Sequence, residues 1–347
     1  MEFKVINSLE ELLKIKEEWN ELVEKMDNPQ IFYKWEWVTT YLKYFDNKLN
    51  NNLRVLLTYE KKNLIAIFPM VNDGRVLRFI TNKTVDYNNI YIDKSVNKYT
   101  VIEKSINYIV DNFKNESIIF NNITAGSELY IINDILFNKF DYNTVLEESV
   151  IVPILDNKSR DRESKLRKKQ LKDIERRIRK VQKDKELTFS IGCELDNELW
   201  NFIQENHKKK WNRSVFKNED YVLFYNEISS KINENMQISK VEIDGEIAAA
   251  HFGFKDKRKI YYYIPIYNEK YSKIGVGYML LKEIIDKYAY KDEFDFLRGN
   301  EGYKFNWTDN IRLNYNLYAE KSNIKSFKNY LKVYFKKSKF LRQLLKK

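Results

Sequence analysis

The spacing of apolar residues along the first half of the chain predicts both helices and strands. Residues 3–6 alternate as in a short strand. Ser8 then stands where a helix N-cap is expected, and Glu11, three residues later, completes a capping box. The other elements predicted here are an aromatic helix at 35–45, strands at 53–59, 64–70, 76–80, 90–92 and 117–121, and a helix at 100–112.

The second half repeats this order of elements. Its predicted helices lie at 164–183, 197–211, 220–231 and 278–288, and its predicted strands at 238–243, 246–254, 259–267, 294–297 and 314–319. Asp244-Gly245 joins two of these strands and is a strong signal for a two-residue hairpin turn. The repetition indicates a structural duplication in the α/β (α+β) class, with two domains at 1–155 and 156–347. Each is expected to be a mixed, mostly antiparallel sheet flanked by helices.

One loop in the second half has the composition of a phosphate-binding turn. It contains Gly275 and Gly277, follows the aromatic strand at 259–267 and precedes the helix at 278–288. Glycines allow the backbone to approach a ligand closely, and a helix N-terminus offers free N–H groups and a positive dipole end to anionic oxygens. The corresponding loop of the first half, 93–99, has no glycine. We therefore expect the second domain to bind a phosphate-bearing cofactor and the first to serve as scaffold or acceptor wall.

Composition and charge narrow the class of protein. With 43% hydrophobic residues, the chain can bury hydrophobic cores, which excludes wholesale disorder. The first residues lack the apolar segment of a signal peptide, and no run reaches the ~18 apolar residues of a membrane span. The single cysteine, Cys193, excludes an internal disulfide and suits the cytoplasm, and with only two histidines no His/Cys metal site is expected. The net charge of +11 favours an anionic partner.

Several segments resemble the GNAT acyltransferase superfamily, in which a Gln/Arg-x-x-Gly-x-Gly/Ala loop binds the pyrophosphate of acyl-CoA. They are the glycine loop, residues 205–211, residues 295–304 with Trp307, and Asp86-Tyr87. Within the superfamily the chain is similar to the cellulose-biosynthesis-type acetyltransferases and to the tandem-domain FemABX-like enzymes. The resemblance is densest over residues 164–307. One departure is Ser272, which occupies the position that is usually Gln or Arg.

The resemblance implies that acyl-CoA, as donor substrate, binds at this loop and at the strand before it. The implied loop contacts are Ser272, Lys273, Ile274, Gly275, Val276, Gly277 and Tyr278. The strand would pair its backbone with the pantetheine arm and supply an N–H group to the oxyanion, through Tyr263, Ile264 and Ile266. The alternatives are an ordinary tight turn and an ordinary core strand. No metal is expected.

Three residues are candidates for proton transfer. The resemblance implies that Tyr303 protonates the departing thiolate, which suits a phenol because its pKa lies near that of a thiol; a packed aromatic is the alternative. His207 is a candidate general base, since imidazole titrates near neutral pH, or a contact to an acceptor phosphate, or a surface histidine. Asp86 is a candidate to orient or deprotonate the acceptor amine, and turn chemistry is its alternative.

Further residues are candidates for binding the acceptor. They are Tyr87, His251, Lys210, Trp211, Arg298, Glu301 and Lys304. His251 lies in an apolar strand, so a core histidine is an alternative, and Arg298 with Glu301 can equally form a structural ion pair. The basic helix at 164–183 either faces solvent or contacts phosphate or RNA. The basic amphipathic tail at 324–347 either lies on an anionic membrane or packs on its own domain.

These observations favour a cytoplasmic, CoA-dependent N-acyltransferase in which an amine attacks the thioester directly, since no nucleophile signature is present. The resemblance favours surface-polysaccharide pathways, and the preferred acceptor is a nucleotide-linked amino sugar such as a dTDP-linked 4-amino-4,6-dideoxyhexose. Neither a nucleic-acid partner nor a membrane span is expected. Two alternatives stay open. One is FemX-like aminoacyl transfer from tRNA to a peptidoglycan precursor, and the other is a non-catalytic scaffold that binds acyl-CoA or a membrane.

Overall fold

The chain forms two compact units in the computed structural model, which describes residues 1–46, 52–82, 84–113, 115–156 and 165–322. Unit 1 comprises Met1–Val150 together with the described chain from Leu313 onwards. Unit 2 comprises Ile151–Arg312. The basic tail predicted at 324–347 lies outside the described residues.

Helices and strands alternate through both units. The α-helices of the described residues are α1 (Leu9–Leu13), α2 (Lys16–Lys25), α3 (Trp35–Phe45), α4 (Lys98–Asn112), α5 (Ser127–Lys139), α6 (Lys165–Val181), α7 (Asn197–Lys210), α8 (Glu219–Lys231) and α9 (Val276–Lys287). The strands are β1 (Glu2–Ile6), β2 (Val55–Glu60), β3 (Asn63–Phe68), β4 (Met70–Asp73), β5 (Val76–Phe79), β6 (Tyr91–Ile92), β7 (Ser117–Thr124), β8 (Tyr142–Asp156), β9 (Leu187–Cys193), β10 (Met236–Ile243), β11 (Glu246–Lys255), β12 (Lys259–Tyr267), β13 (Glu293–Asp295) and β14 (Ile311–Lys321). The boundaries between the units fall within β8 and β14.

Unit 1 contains two groups of hydrogen-bonded strands. One is antiparallel in the order β1-β2-β3-β6. The other runs β4-β5-β7-β14 and continues to the first part of β8, with β5 and β7 parallel. Ile106 of α4 and Ile132 of α5 are buried in the same core as Phe68 and Phe120 of the strands. The two helices and both groups of strands therefore share one hydrophobic core.

Two local predictions from the sequence are confirmed. The Ser8 hydroxyl accepts the backbone N–H of Glu11 (3.2 Å), so Ser8 caps α1 as predicted. The Glu11 carboxylate accepts the N–H of Asn7 (2.9 Å), one residue before the N–H that a capping box uses. Asp244 and Gly245 have φ angles of 53° and 79° in the turn between β10 and β11. Positive φ at both central residues is the geometry of a type I′ hairpin turn.

Unit 2 is built on a sheet whose order is the last part of β8, then β13-β12-β11-β10-β9. The β12–β13 pair is parallel and the other described pairs are antiparallel. On one face Ile174 of α6 and Met279 of α9 share a core with Ile260. On the other face Trp200 of α7 packs on Phe252, with ring centroids 5.3 Å apart. The predicted fold class, a mixed and mostly antiparallel sheet flanked by helices, is confirmed.

Candidate functional site

The strands β12 and β13 separate after a short parallel pairing. They are hydrogen-bonded only over residues 259–261 of β12. The chain after β13 follows β8 instead, since the Phe296 N–H donates to the carbonyl of Pro153 (3.1 Å). An opening therefore lies between the second half of β12 and the chain that follows β13, and residues from both segments line it.

A network of partly buried ion pairs fixes the place where the two strands separate. Arg312 pairs with Glu293 (2.7 Å) and with Asp295 (3.4 Å). The Asp295 carboxylate also accepts the N–H of Leu297 (2.8 Å), whose φ of 57° lies in the left-handed region. A residue other than glycine in the left-handed region is uncommon, and it changes the direction of the chain. The network therefore holds the turn that leads the chain away from β12.

The glycine loop leads into a helix N-terminus that has no side-chain cap. Gly275 has a φ of 77° and stands at the N-cap of α9, where it provides no side-chain cap. The first backbone hydrogen bond of this helical turn is donated by the Tyr278 N–H to the Gly275 carbonyl (3.0 Å). Among the described residues the N–H groups of Val276 and Gly277 thus have no acceptor. Such N–H groups at the positive end of a helix dipole favour an anion.

The corresponding helix of unit 1 is capped by its own chain. The Asn97 side chain at the N-cap of α4 accepts the N–H of Thr100 (3.0 Å). This bond satisfies one of the donors that an anion would otherwise use. In α9 the equivalent N–H, that of Tyr278, is satisfied by the Gly275 carbonyl, so this bond does not distinguish the two helix N-termini and the phosphate-binding role of unit 2 stays a prediction.

The loop faces a cavity of ≈ 250 Å³ in unit 2. The residues that were predicted as site residues and that line it are Lys210, Ile266, Ser272, Gly275, Val276, Gly277, Tyr278 and Tyr303. The other lining residues are Ala250, Tyr262, Pro265, Tyr267, Leu280 and Leu281. The glycine loop, the open half of β12 and the chain after β13 therefore meet at one apolar cavity with phenol groups at its wall.

The remaining residues predicted to bind the donor are not among those that line this cavity. Ile264 is buried, and Ile274 packs against the core between the sheet and α9. Lys273 is exposed in the loop. Tyr263 points to the other face of the sheet, where its hydroxyl lies 2.9 Å from that of Tyr225 in α8.

Tyr303 lines the cavity and has a phenol proton that it can donate. Burial raises its pKa well above the ordinary value of a phenol, and the Glu301 carboxylate adds to this shift. Its ring packs edge-on against Tyr278, with centroids 6.2 Å apart. A phenol with a raised pKa stays protonated at neutral pH, so it can donate a hydrogen bond or a proton into the cavity.

His207 lies one helical turn before Lys210 on α7. Its Nδ1 is 2.7 Å from the Ser214 hydroxyl, and its ring packs on Trp211 at a centroid distance of 4.3 Å. Burial, with the charge of Lys210, lowers the pKa of His207 to about 4. The imidazole is therefore neutral at physiological pH. Lys210 extends from the same helix, and its Nζ lies 4.2 Å from the centroid of the Tyr267 ring.

His251 is a fully buried residue of β11 that contacts the backbone of β12. Its Nε2 accepts the N–H of Tyr263 (3.2 Å), and its ring stacks on Tyr262 at 4.5 Å. Burial lowers its pKa to about 3, which keeps the ring neutral. Because its Nε2 accepts a hydrogen bond, the ring proton lies on Nδ1, which has no partner among the described residues.

The residues after β13 form a compact turn around a buried lysine. The Lys304 ammonium donates to the carbonyl of Arg298 (2.8 Å) and pairs with the Glu301 carboxylate (2.9 Å). Lys304 is buried, whereas Arg298 and Glu301 are exposed. The contacts of Lys304 therefore hold the turn that precedes Tyr303.

Asp86 and Tyr87 belong to unit 1, and both are buried. The backbone carbonyl of Asp86 accepts a hydrogen bond from the Asn314 side chain (2.7 Å). Their predicted roles toward the acceptor stay predictions.

One residue near the loop was not singled out by the sequence. Arg177 of α6 places Nη1 3.0 Å from the position that a Cβ atom on Gly275 would occupy. The sequence shows that the helix is rich in Arg and Lys, and the spacing of position 177 from Ile174 and Val181 indicates which face of the helix it shares, but not what that face meets.

The chain is similar to known proteins in sequence over one domain and in fold over most of its length. Residues 168–305 match the acetyltransferase (GNAT) domain family. The fold is similar to L-PGS from Bacillus licheniformis, at 14% identity over 92% of this chain and 95% of that chain, with a TM-score of 0.56. It is also similar to FemX, at 11% identity over 94% of this chain and 99% of that chain, with a TM-score of 0.59. A third similar structure is a tandem GNAT protein from the clavulanic acid biosynthesis pathway, at 8% identity over 93% of this chain and 99% of that chain, with a TM-score of 0.50. No curated protein matches the chain in sequence.

The matched domain contains the glycine loop, the cavity and Tyr303. The chain is therefore an acyltransferase with a GNAT-type acetyltransferase domain, in a fold that fits two GNAT-like domains. Among the described residues, no group of three or more His, Cys, Asp or Glu side chains is placed to hold a metal ion. None of the helices in the described ranges has both the length and the apolar character that crossing a bilayer requires.

Proposed function

We propose that this protein transfers an acyl group from acyl-CoA to a primary amine. The observation that carries the proposal is the meeting of the glycine loop and the opened strand β12 at one cavity, inside the residues that match the acetyltransferase domain. The free N–H groups of Val276 and Gly277 would bind the diphosphate of the donor. The part of β12 that continues beyond its pairing with β13 would bind the pantetheine arm.

The reaction would proceed by direct attack. The amine nitrogen forms a bond with the thioester carbonyl carbon, the C–S bond breaks, and the sulfur leaves as a thiolate that takes its proton from the Tyr303 phenol. The nitrogen, positively charged after the attack, releases a proton to solvent to give the amide, and the Tyr303 phenolate regains a proton from solvent. The ammonium must first lose a proton. His207, whose imidazole is neutral at physiological pH, is the candidate base within unit 2, and its pKa of about 4 makes it a weak one. The role of Asp86 toward the acceptor stays a prediction from the sequence.

We infer that the acceptor is an amine that carries negative charge, such as a nucleotide-linked amino sugar. The net charge of +11 and the position of Lys210 at the cavity support an anionic acceptor. A surface-glycan pathway is the setting that the sequence resemblance favours. Since acyl-CoA is an intracellular donor, the proposed location is the cytoplasm.

The test is a thiol-release assay with acetyl-CoA and a panel of amines. The panel would include dTDP-linked 4-amino-4,6-dideoxyhexoses, the matching 4-hydroxy sugars as controls, and simple amino sugars without a nucleotide. We expect thiol release only with amines, fastest with the nucleotide-linked ones, and an N-acyl product detected by mass spectrometry. If no amine is acylated although CoA binds, the catalytic proposal is wrong and a binding scaffold is favoured.

One observation favours a second candidate function. Helix α6 is densely basic, which suits contact with RNA as well as with a nucleotide. An aminoacyl-tRNA donor would then replace acyl-CoA. Salt-sensitive binding of tRNA, together with transfer of a labelled aminoacyl group from it to a peptidoglycan precursor, would support this candidate against the first.

A further inference from the structure

Helix α6 is held in register against α9. Its apolar residues Ile174 and Val181 are buried in the same core as Val276 and Met279 of α9. Position 177 lies three residues after the first and four before the second, so it shares their face of the helix. The packing of α6 therefore directs Arg177 to the N-terminal end of α9.

The guanidinium of Arg177 is oriented by an acidic neighbour. Its Nε donates to Asp173 Oδ2 (2.6 Å), and Asp173 Oδ1 accepts from Arg176 (2.6 Å). Nη1 lies against Gly275, 3.0 Å from where a Cβ would stand, and the missing side chain makes this approach possible. Among the described residues neither Nη1 nor Nη2 of Arg177 has an acceptor.

We propose that Arg177 binds the diphosphate of the donor together with the N–H groups of Val276 and Gly277. This inference rests on the proposed function. The planar fork of arginine suits two phosphate oxygens, and Asp173 holds it ready at the loop. The loop has Ser272 at the position that is usually Gln or Arg, and Arg177 thereby supplies a cationic side chain to the loop from α6.

The experiment compares Arg177→Gln with Arg176→Gln, a matched control that removes an equal charge bonded to the same Asp173. Both variants and the wild type are titrated calorimetrically with CoA and with pantetheine, which has no diphosphate. We expect Arg177→Gln to weaken CoA binding about tenfold or more, the loss of one or two charge-assisted hydrogen bonds. Arg176→Gln should bind CoA as the wild type does, and pantetheine affinity should be equal in all three proteins.

Three outcomes would overturn the inference while leaving the proposed function in place. They are unchanged CoA affinity in Arg177→Gln, an equal loss in both variants, which would indicate only a general charge effect, and a parallel loss for pantetheine, which would indicate a structural role. Failure of the wild type to bind CoA is distinct, because it rejects the proposed donor and the role of Arg177 with it. Arg177→Lys, which keeps the charge without the fork, should recover part of the affinity.

Discussion

The two histidines of the chain are both held neutral by burial. The pKa of His207 is lowered to about 4 and that of His251 to about 3. The unfolded chain takes up protons on these side chains as the pH falls below about 6.5, and the folded chain does not. The unfolded state therefore binds more protons in this range, so the free energy of unfolding decreases as the pH falls from about 6.5 toward 4.

The first prediction concerns this acid sensitivity. Replacing His251 by Gln should flatten the pH dependence by up to ~1.4 kcal/mol per pH unit between pH 6 and pH 5, because one linked proton is removed. The measurement is urea unfolding of the wild type and His251→Gln at pH 7, 6 and 5. The carboxylates contribute equally to the pH dependence of both proteins, so their contribution cancels when the two free energies of unfolding are subtracted. Equal slopes for the two proteins would show that His251 is protonated in the folded state.

The second prediction concerns proton donation by Tyr303. Tyr303→Phe should lower kcat on the order of a hundredfold with little change in KM for acyl-CoA, since the ring is kept and only the hydroxyl is lost. Tyr278→Phe is the matched control, because Tyr278 lines the same cavity and packs on Tyr303. Steady-state thiol release gives both constants. Wild-type kcat in Tyr303→Phe would leave Tyr303 as a packing residue.

At the scale of residues, the sequence could predict those whose type carries chemistry within a short motif. Gly275, Gly277 and Tyr303, which the sequence singled out, line one cavity. Tyr262 and Arg177 could not be selected, because one tyrosine among several in a strand, or one arginine in a basic helix, gains its role from packing against distant segments.

Strand β12 owes its irregular shape to a bulge opposite Gly253. The pairing of β11 and β12 shifts between Phe252 and Phe254, so β12 has one extra residue there, and the His251 ring accepts the Tyr263 N–H beside it. A Cβ on Gly253 would overlap that ring and would lie 2.5 Å from the Tyr261 carbonyl oxygen. The glycine therefore makes room for the buried imidazole.

The third prediction follows from this crowding. Gly253→Ala should destabilise the protein by about 1–3 kcal/mol, since the added methyl group forces the ring or the strand to move. Gly302→Ala is the control, because a Cβ at Gly302 meets nothing within 4 Å. Urea unfolding midpoints of the two variants and the wild type give the comparison. Equal stability of Gly253→Ala and the control would contradict the described packing of His251.

At the scale of elements, local patterns predicted the hairpin of β10 and β11, strand β12 and helix α9. Helix α5 was missed although Leu129, Ile132 and Leu136 have helical spacing and are buried. Strand β9 was missed although Leu187, Phe189 and Ile191 alternate with smaller polar residues or glycine and pack against the core on one face. The separation of β12 from β13 was also not predictable, since it depends on the contacts of Arg312, which lies far along the chain.

At the scale of the whole molecule, the order of elements indicated a duplication but not the course of the chain. The chain from Leu313 returns to unit 1, where Leu317 pairs with Phe120 of β7. The spacing of apolar residues within a segment does not show which distant segment it pairs with, so this pairing could not be predicted. The excess of positive charge, by contrast, is a property of composition alone, and it favours the binding of anionic ligands by any part of the surface.

The central claim is that the cavity beside the glycine loop binds acyl-CoA, and Gly277 offers the most direct test. A Cβ there makes only an ordinary contact with the Tyr267 ring at 3.6 Å, so alanine fits, whereas leucine would extend into the cavity. The measurement is calorimetric titration of the wild type, Gly277→Ala and Gly277→Leu with CoA and acetyl-CoA. We predict dissociation constants on the order of micromolar for the first two proteins and a loss of at least about tenfold for Gly277→Leu. Absence of binding by the wild type, or binding by Gly277→Leu equal to that of the wild type, would contradict the account.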